Sequence, residues 1–335
     1  MKRIAIHGFG RIGRTLLRAA LKNDLFVPES VSDITDPIML ASLFEVDSNY
    51  GRWHEGVDYK GGSFKIGDRS VRYFDTRDRL PDWGTEGIDL VIDCTGRATT
   101  RPAAQAHLDR GAKYVLVSAA SKTEKDADAF LLPGINLDSF DPQRHRIVSM
   151  ASCTTNALAP VIKVLLETCG IERGTFTTVH AYTNTQAITD QPMKERRDSW
   201  AAAENTIPSS SNAQRALKFI WRDLNITGRA YRVPVRTGSI VEVNLLTARA
   251  TTAEELKEAF REAARRPPLK GVMDVLEGEW ASSRIVGDEH SSIIDVPLIT
   301  VLDGRFVSVA AWYDNEMGYA TRLAEVAAYI LHANA

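Results

Sequence analysis

Gly8-Phe9-Gly10-Arg11-Ile12-Gly13 stands between a strand-like run, Arg3-Ile4-Ala5-Ile6, and the stretch Arg11–Asn23, whose residues Ile12, Leu16, Leu17, Ala20 and Leu21 share one helical face. Three glycines at this spacing, after a strand and opening a helix, suit a dinucleotide. One makes the tight turn, one lets the backbone approach a pyrophosphate, and one packs helix against strand. The helix start offers N–H groups and the positive end of its dipole to the phosphates. Asp33 lies 20 residues beyond Gly13, at the end of the second strand, for which Phe26–Val31 is the candidate. A carboxylate there hydrogen-bonds the ribose hydroxyls and repels a 2′-phosphate, favouring NAD over NADP. Gly8, Gly10, Arg11, Ile12, Gly13 and Asp33 form the expected cofactor-binding set.

Outward from this turn, apolar runs alternate with helical patterns: a helix over Asp36–Glu45, a hairpin of Ser63–Ile66 with Ser70–Asp75, a buried strand Leu90–Cys94, a helix Arg101–Asp109 and a strand Tyr114–Ser118. Such alternation predicts a parallel, doubly wound sheet with α/β architecture. Beyond about residue 150 the texture changes. A helix over Ser152–Thr168 precedes longer alternating strands, Thr175–His180, Arg229–Pro234, Ile240–Ala248 and Phe306–Tyr313, which read as a mixed or antiparallel sheet. The polar stretch Tyr182–Ser211 reads as a long functional loop. The predicted organisation is an N-terminal doubly wound, Rossmann-type α/β part up to about residue 150 and an α+β part with a mixed or antiparallel sheet beyond it.

The chain of 335 residues carries 41 basic and 43 acidic side chains, for a formal net charge of −2, and has no long like-charge run. That balance speaks against nucleic acid as a partner. No apolar stretch approaches the ~20 residues a bilayer-spanning helix needs. Three scattered cysteines suit neither a disulfide framework nor a zinc site, so no metal and a reducing, cytoplasmic setting are expected.

One of the three is placed differently. Ala151-Ser152-Cys153-Thr154-Thr155-Asn156 precedes an apolar helical run, so Cys153 opens a helix. The dipole and local N–H groups there favour a thiolate and can hold the oxyanion of a tetrahedral intermediate. His180, 27 residues on, ends the strand Thr177-Thr178-Val179. A helix-to-strand crossover brings base and nucleophile to one sheet edge, where the imidazole can pair with the thiolate and shuttle a proton. Cys94 and Cys169 sit in apolar contexts and read as core residues.

These residues resemble the glyceraldehyde-3-phosphate dehydrogenase family. The likeness extends through Asp47-Ser48, Cys94-Thr95-Gly96, Ser118-Ala119, Thr177–Gln186, Arg232-Val233-Pro234 and Trp312-Tyr313-Asp314-Asn315-Glu316. The resemblance implies NAD-dependent oxidation of a small phosphorylated aldehyde to an acyl phosphate through a Cys153 thioester, as in glycolysis and glucose metabolism. It implies a Rossmann-type NAD domain, 1–151, completed by the C-terminal helix 316–335, an α+β catalytic domain, 152–315, and a homotetramer with inorganic phosphate as second substrate. His180 is then the base, Asn315 holds the nicotinamide carboxamide, and Ser118 and Arg77 contact the cofactor. Ser152, Thr154, Thr183, Arg197, Ser211, Asn212 and Arg232 match positions that handle substrate and phosphate.

The departures gather in one stretch. In a gapless pairing, Asp198 falls where the family places a phosphate-binding Arg, Ser211-Asn212 replaces Thr-Gly, and Arg236 replaces a small residue. His7 and Ser32 each replace an Asn near the glycine turn. These changes leave two other readings open: the same chemistry on another anionic aldehyde such as erythrose 4-phosphate, or with arsenate as acyl acceptor, and a non-enzymatic NAD-binding regulator.

Overall fold

A computed structural model describes residues 3–333. The chain forms two compact units, one comprising Met1–Leu132, Asn136–Ala151 and Ala320–Ala335, the other Pro133–Ile135 and Ser152–Tyr319. Positions 1 and 2 of the expected 1–151 segment, and 334 and 335 of the expected 316–335 segment, lie outside the described residues.

In the first unit the elements run β1 (Ile4–His7), α1 (Arg11–Lys22), β2 (Ser30–Asp33), α2 (Pro37–Glu45), the short pair β3 (Val46–Asp47) and β4 (Gly51–Arg52), then β5 (Val57–Lys60), β6 (Ser63–Ile66), β7 (Arg69–Asp75), β8 (Leu90–Asp93), α3 (Arg101–Asp109), β9 (Tyr114–Val117), β10 (Ala129–Phe130) and β11 (Ile147–Ser149). Nine strands form one sheet in the order β10-β11-β9-β8-β1-β2-β7-β6-β5. All neighbours from β10 to β7 pair parallel, and the β5–β6–β7 edge is antiparallel. The strand order reverses between β1 and β8, and such a switch point opens a crevice at the carboxyl ends of the strands. Parallel strands are covered on both faces, so β8 and β9 are buried at every position. On α1, Leu16 and Leu17 are fully buried, each contributing ~1.5–3 kcal/mol relative to exposure.

One expectation is corrected here. The second strand begins at Ser30, not at Phe26. Pro28 has no N–H to give a ladder, and Glu29 N–H to the Ile4 carbonyl at 2.8 Å comes immediately before β2. The shift carries Asp33 into the strand.

The second unit starts with α4 (Cys153–Thr168) and continues through β12 (Ile171–Ala181), β13 (Ile207–Ser210), α5 (Ala213–Ile220), β14 (Ile226–Val233), β15 (Ser239–Thr247), α6 (Ala253–Arg265), β16 (Met273–Leu276), β17 (Ser292–Asp295), β18 (Thr300–Leu302) and β19 (Phe306–Tyr313). The closing helix α7 spans Met317–His332. The sheet order is β13-β14-β12-β15-β19-β17-β16, with β18 pairing β19. It is mixed: β12 pairs parallel with β14 and antiparallel with β15. The polar stretch after Tyr182 is not all loop. It holds a short helical turn at Arg196–Ser199 and the edge strand β13, whose Pro208 hides the strand pattern.

Candidate active site

The glycine turn is built as its spacing demands. Gly8 has φ +89°, and a Cβ there would lie 2.7 Å from the Thr95 nitrogen; a Cβ on Gly13 would lie 2.1 Å from the Gly8 carbonyl oxygen. Gly10 faces open space instead. It caps α1 with no side-chain bond, and the first turn carries no acid. That arrangement fits a diphosphate approaching the backbone. Asp33 accepts the Phe9 N–H at 2.6 Å on Oδ2, and the Ile34 and Thr35 N–H groups at 2.8 and 3.0 Å on Oδ1. Burial alone would raise its carboxyl, but these bonds and the Thr35 hydroxyl hold it below its ordinary value. It is an anion aimed at the rim of the turn.

The other expected cofactor residues are more dispersed. The Arg11 guanidinium is committed to Asp47, with Tyr50 beneath it, and Ile12 is half-buried behind it. Arg77 is exposed and grips Asp75 at 2.9 Å, beside the end of β2, where Asp33 and Asp75 are register partners. Ser118 follows β9; its N–H reaches the Asp93 carbonyl at 2.9 Å and its hydroxyl bonds the Cys94 thiol.

A group that motif reading did not assemble lies at the ends of β1 and β8. His7, Asp93 and His107 each bring one ligand-type atom within 4.8 Å of the others. Trp83 decides what they are. Its indole N–H, which can only donate, lies 3.1 Å from His107 Nδ1, so that nitrogen accepts. The His107 proton therefore sits on Nε2 and donates to Asp93 Oδ2 at 3.1 Å. Asp93 Oδ1 accepts the Thr95 N–H and hydroxyl at 2.9 and 2.6 Å. A cation on His107 Nε2 would force a proton onto Nδ1, against the indole N–H. The cluster is a closed hydrogen-bond network. His7 Nδ1 meets Ser32 Oγ at 2.8 Å, and burial lowers its imidazole to about 4. Thus the two residues standing for the family's asparagines bond one another.

In the second unit the chain enters α4 through Ala151, held at φ +56°, a conformation costly for a residue with a Cβ. Ser152 then caps the helix, its Oγ accepting the Thr155 N–H at 3.1 Å. Cys153 is the first helical residue, and its Sγ lies 3.4 Å from His180 Nε2. His180, one residue before the end of β12, is 3% exposed. In the β12–β14 register its partner is Arg232, whose Nη1 reaches His180 Nδ1 at 2.7 Å.

Electrostatics here differ from the depressed thiol expected of a helix start. Burial raises the Cys153 thiol above its ordinary value. The Arg232 charge, the Thr154 N–H and hydroxyl, and the Cys153 N–H pull it down without overcoming burial. Burial and Arg232 lower His180 to about 3. Burial thus disfavours charge on both members of the pair. Cys94 and Cys169 are inert by comparison: burial and a neighbouring carboxylate raise both, Cys169 to about 11.

Tyr313 was missed as a support for this pair. Its hydroxyl joins Thr154 Oγ1 at 3.1 Å and Thr178 Oγ1 at 2.8 Å, while Thr178 donates to the Ile240 carbonyl. Its ring packs edge-on against His180 at 5.9 Å. Ser239 was missed as well. Its Oγ accepts the Ala181 N–H at 3.1 Å, so its own proton goes to Asn315 Oδ1 at 2.9 Å. That fixes the Asn315 amide with its NH2 turned away, as a donor.

The remaining expected substrate residues do not converge on the thiol. Thr183 bonds Thr185 at 2.9 Å and Gln186; Gln186 donates at 2.9 Å to Asp198 Oδ1. Asp198, where a cation was expected, ties the loop together. Arg197, Asn212 and Arg236 are exposed, and Ser211 Oγ accepts the Ala213 N–H at 3.3 Å. Among the described residues no hydrogen bond or ion pair joins Thr183, Arg197, Ser211 or Asn212 to Cys153 or His180.

Comparison with known proteins bears on both units. The family model of the NAD binding domain of glyceraldehyde 3-phosphate dehydrogenase matches residues 2–101, and that of its C-terminal domain matches 152–315. The chain is 45% identical over 328 residues to glyceraldehyde-3-phosphate dehydrogenase of Kitasatospora aureofaciens, covering 96% of this chain and 97% of that one. It is 41% identical over 333 residues to the enzyme of that name from Geobacillus stearothermophilus, covering 98% of each. Against the Chlamydia pneumoniae protein it is 39% identical over 334 residues, again covering 98% of each.

Proposed function

The chain belongs to the glyceraldehyde-3-phosphate dehydrogenase family, and on that premise we propose that it oxidises glyceraldehyde 3-phosphate with NAD, releasing an acyl phosphate. The observation that carries this reading is the Cys153 Sγ, 3.4 Å from His180 Nε2 at the first residue of α4.

The sulfur attacks the aldehyde carbon and forms a hemithioacetal, its proton passing to the imidazole or to the new alkoxide. The Cys153 and Thr154 N–H groups at the helix start stabilise charge on that oxygen. The Gly8–Gly13 turn would hold the diphosphate of NAD and Asp33 its ribose, and the cofactor would supply the hydride acceptor. As hydride departs, His180 takes the hydroxyl proton and leaves a thioester on Cys153. Asn315, whose Oδ1 accepts the Ser239 hydroxyl, would offer its NH2 to the carboxamide oxygen of the nicotinamide. Inorganic phosphate then attacks the thioester carbon, the carbon–sulfur bond breaks, and the acyl phosphate leaves as the thiolate recovers its proton. Arg232, beside His180, is the cation best placed to receive a phosphoryl oxygen. Ser118, Arg77, Ser152, Thr154, Thr183, Arg197, Ser211 and Asn212 keep the supporting roles their motif positions suggest. By the same reading the protein works as a cytoplasmic homotetramer. Among the described residues no helix is long and apolar enough to cross a membrane.

Steady-state NADH formation with glyceraldehyde 3-phosphate, erythrose 4-phosphate and unphosphorylated glyceraldehyde, with and without phosphate, tests this. Glyceraldehyde 3-phosphate should lead in kcat/KM by at least about tenfold, the scale of pocket discrimination, and should require phosphate. A rate no better than its competitors would overturn the substrate assignment.

A further inference from the structure

The carboxylate expected at the ribose end of the cofactor site lies where strand gives way to turn. Asp33 ends β2, and Ile34 and Thr35 follow as exposed residues before α2 begins at Pro37. Tyr73 on β7 runs alongside, with Val31 as its register partner. Its hydroxyl is 2.6 Å from the Thr35 carbonyl oxygen and 3.0 Å from that of Asp33. Carbonyls only accept, so the phenol is the donor, and its one proton ties both peptide groups. Burial and the neighbouring Asp75 and Asp33 carboxylates raise this phenol to about 12, so it keeps that proton throughout the neutral range.

The ring behind that hydroxyl is fixed in turn. It meets Phe64 edge-on at 5.7 Å and Tyr59 edge-on at 6.0 Å. Phe64 is fully buried and packs at 5.4 Å against Phe9, the residue between the first two glycines of the turn. Phe9 closes the path, because its N–H donates to Asp33 Oδ2 at 2.6 Å. Carboxylate, phenol, buried ring and glycine turn thus form one closed loop of contacts inside the first unit. Ring pairs of this kind prefer particular orientations, so the loop fixes direction as well as position. We propose that Tyr73 is a positioning residue for cofactor selection: by fixing the Asp33–Thr35 turn it aims the Asp33 carboxylate at the 2′-hydroxyl of the adenosine ribose. Without the phenol the Thr35 carbonyl loses this donor, and the carboxylate, which bonds the Ile34 and Thr35 N–H groups, turns with the peptide. This rests on the reading of Asp33 as the ribose-binding carboxylate, but its readout does not require turnover.

The test is calorimetric titration of the full-length protein with ADP and with 2′-deoxy-ADP. The unmodified protein should bind ADP about tenfold or more tightly than the deoxy form, the factor a hydrogen bond to a charged group supports. Tyr73→Phe removes one hydroxyl and leaves the ring packing, and it should cut that ratio to about threefold or less. Tyr73→Met removes the hydroxyl by another route and should give the same result, so the test stands if either variant folds. In an Asp33→Gly background the ratio should be near one with or without the phenol, because Tyr73 acts only through the carboxylate. A role confined to the fold would weaken both nucleotides equally. A ratio that keeps its unmodified value in the Tyr73 variants therefore overturns the proposal and leaves the reading of Asp33 standing. No preference for ADP in the unmodified protein would remove both together.

Discussion

Two helix starts, at Arg11 and at Cys153, follow strands and offer the same backbone N–H groups, yet the chain finishes them differently. At α1 the cap is Gly10, with no side chain to bond the helix and no acid in the first turn. At α4 the Ser152 hydroxyl takes the Thr155 N–H, and a sulfur occupies the first helical position. The first end is left for a ligand to complete; the second is partly completed by the chain, and its remaining N–H groups serve the nucleophile. Each also lies near a histidine whose charged form burial disfavours, His7 lowered to about 4 and His180 to about 3. The same end-of-helix electrostatics therefore give an anion cradle in one unit and a reactive centre in the other. The neighbours decide which.

The sharpest way to break this comparison is Cys153→Ser. It should lower turnover by on the order of 10⁴-fold or more while leaving NAD affinity unchanged, because only the second start loses its function. Retained dehydrogenase rates, measured by NADH absorbance, would show that the sulfur is not the nucleophile. Asp33→Gly alters the first start alone. Losing a hydrogen-bonding carboxylate of about 2 kcal/mol should cut the NAD-over-NADP preference by about thirtyfold. An unchanged ratio of kcat/KM for the two cofactors would remove Asp33 from cofactor choice.

The smallest expected effect concerns acid stability. His7 is neutral in the folded chain down to about pH 4, whereas an unfolded histidine takes its proton near 6.5. Its contribution is therefore fully present above about pH 6.5 and is lost as pH falls from there toward 4, by at most about 1.4 kcal/mol per pH unit. His180 adds a loss of the same sign that continues toward pH 3. His7→Asn should shrink the stability difference between pH 7 and pH 5 by up to about 2 kcal/mol in urea melts, leaving the part due to His180. Identical pH dependence in the two proteins would mean that the His7 ring is not held neutral.

Much of the site could be read along the chain because it is made of local patterns. The glycine spacing, Asp33, the helix opened by Cys153 and the histidine ending β12 each declare themselves within a few residues. The onset of β2 was misread because an apolar run outweighed Pro28, and β13 was hidden because an edge strand beginning Ile-Pro lacks the usual period. Asp198 could be flagged as a misplaced charge, but not as the partner of Gln186.

What the order of residues determined alone is the set of turns, caps and reactive atoms, since these depend on backbone geometry and side-chain chemistry over short spans. What only the tertiary structure decided is the protonation of the groups those spans deliver. Burial lifts the Cys153 thiol against its helix start, Trp83 places the proton of His107, and a strand register sets Arg232 against His180 Nδ1. The physical reason is that desolvation and hydrogen-bond direction are set by partners many residues away, brought into contact only when the sheets form.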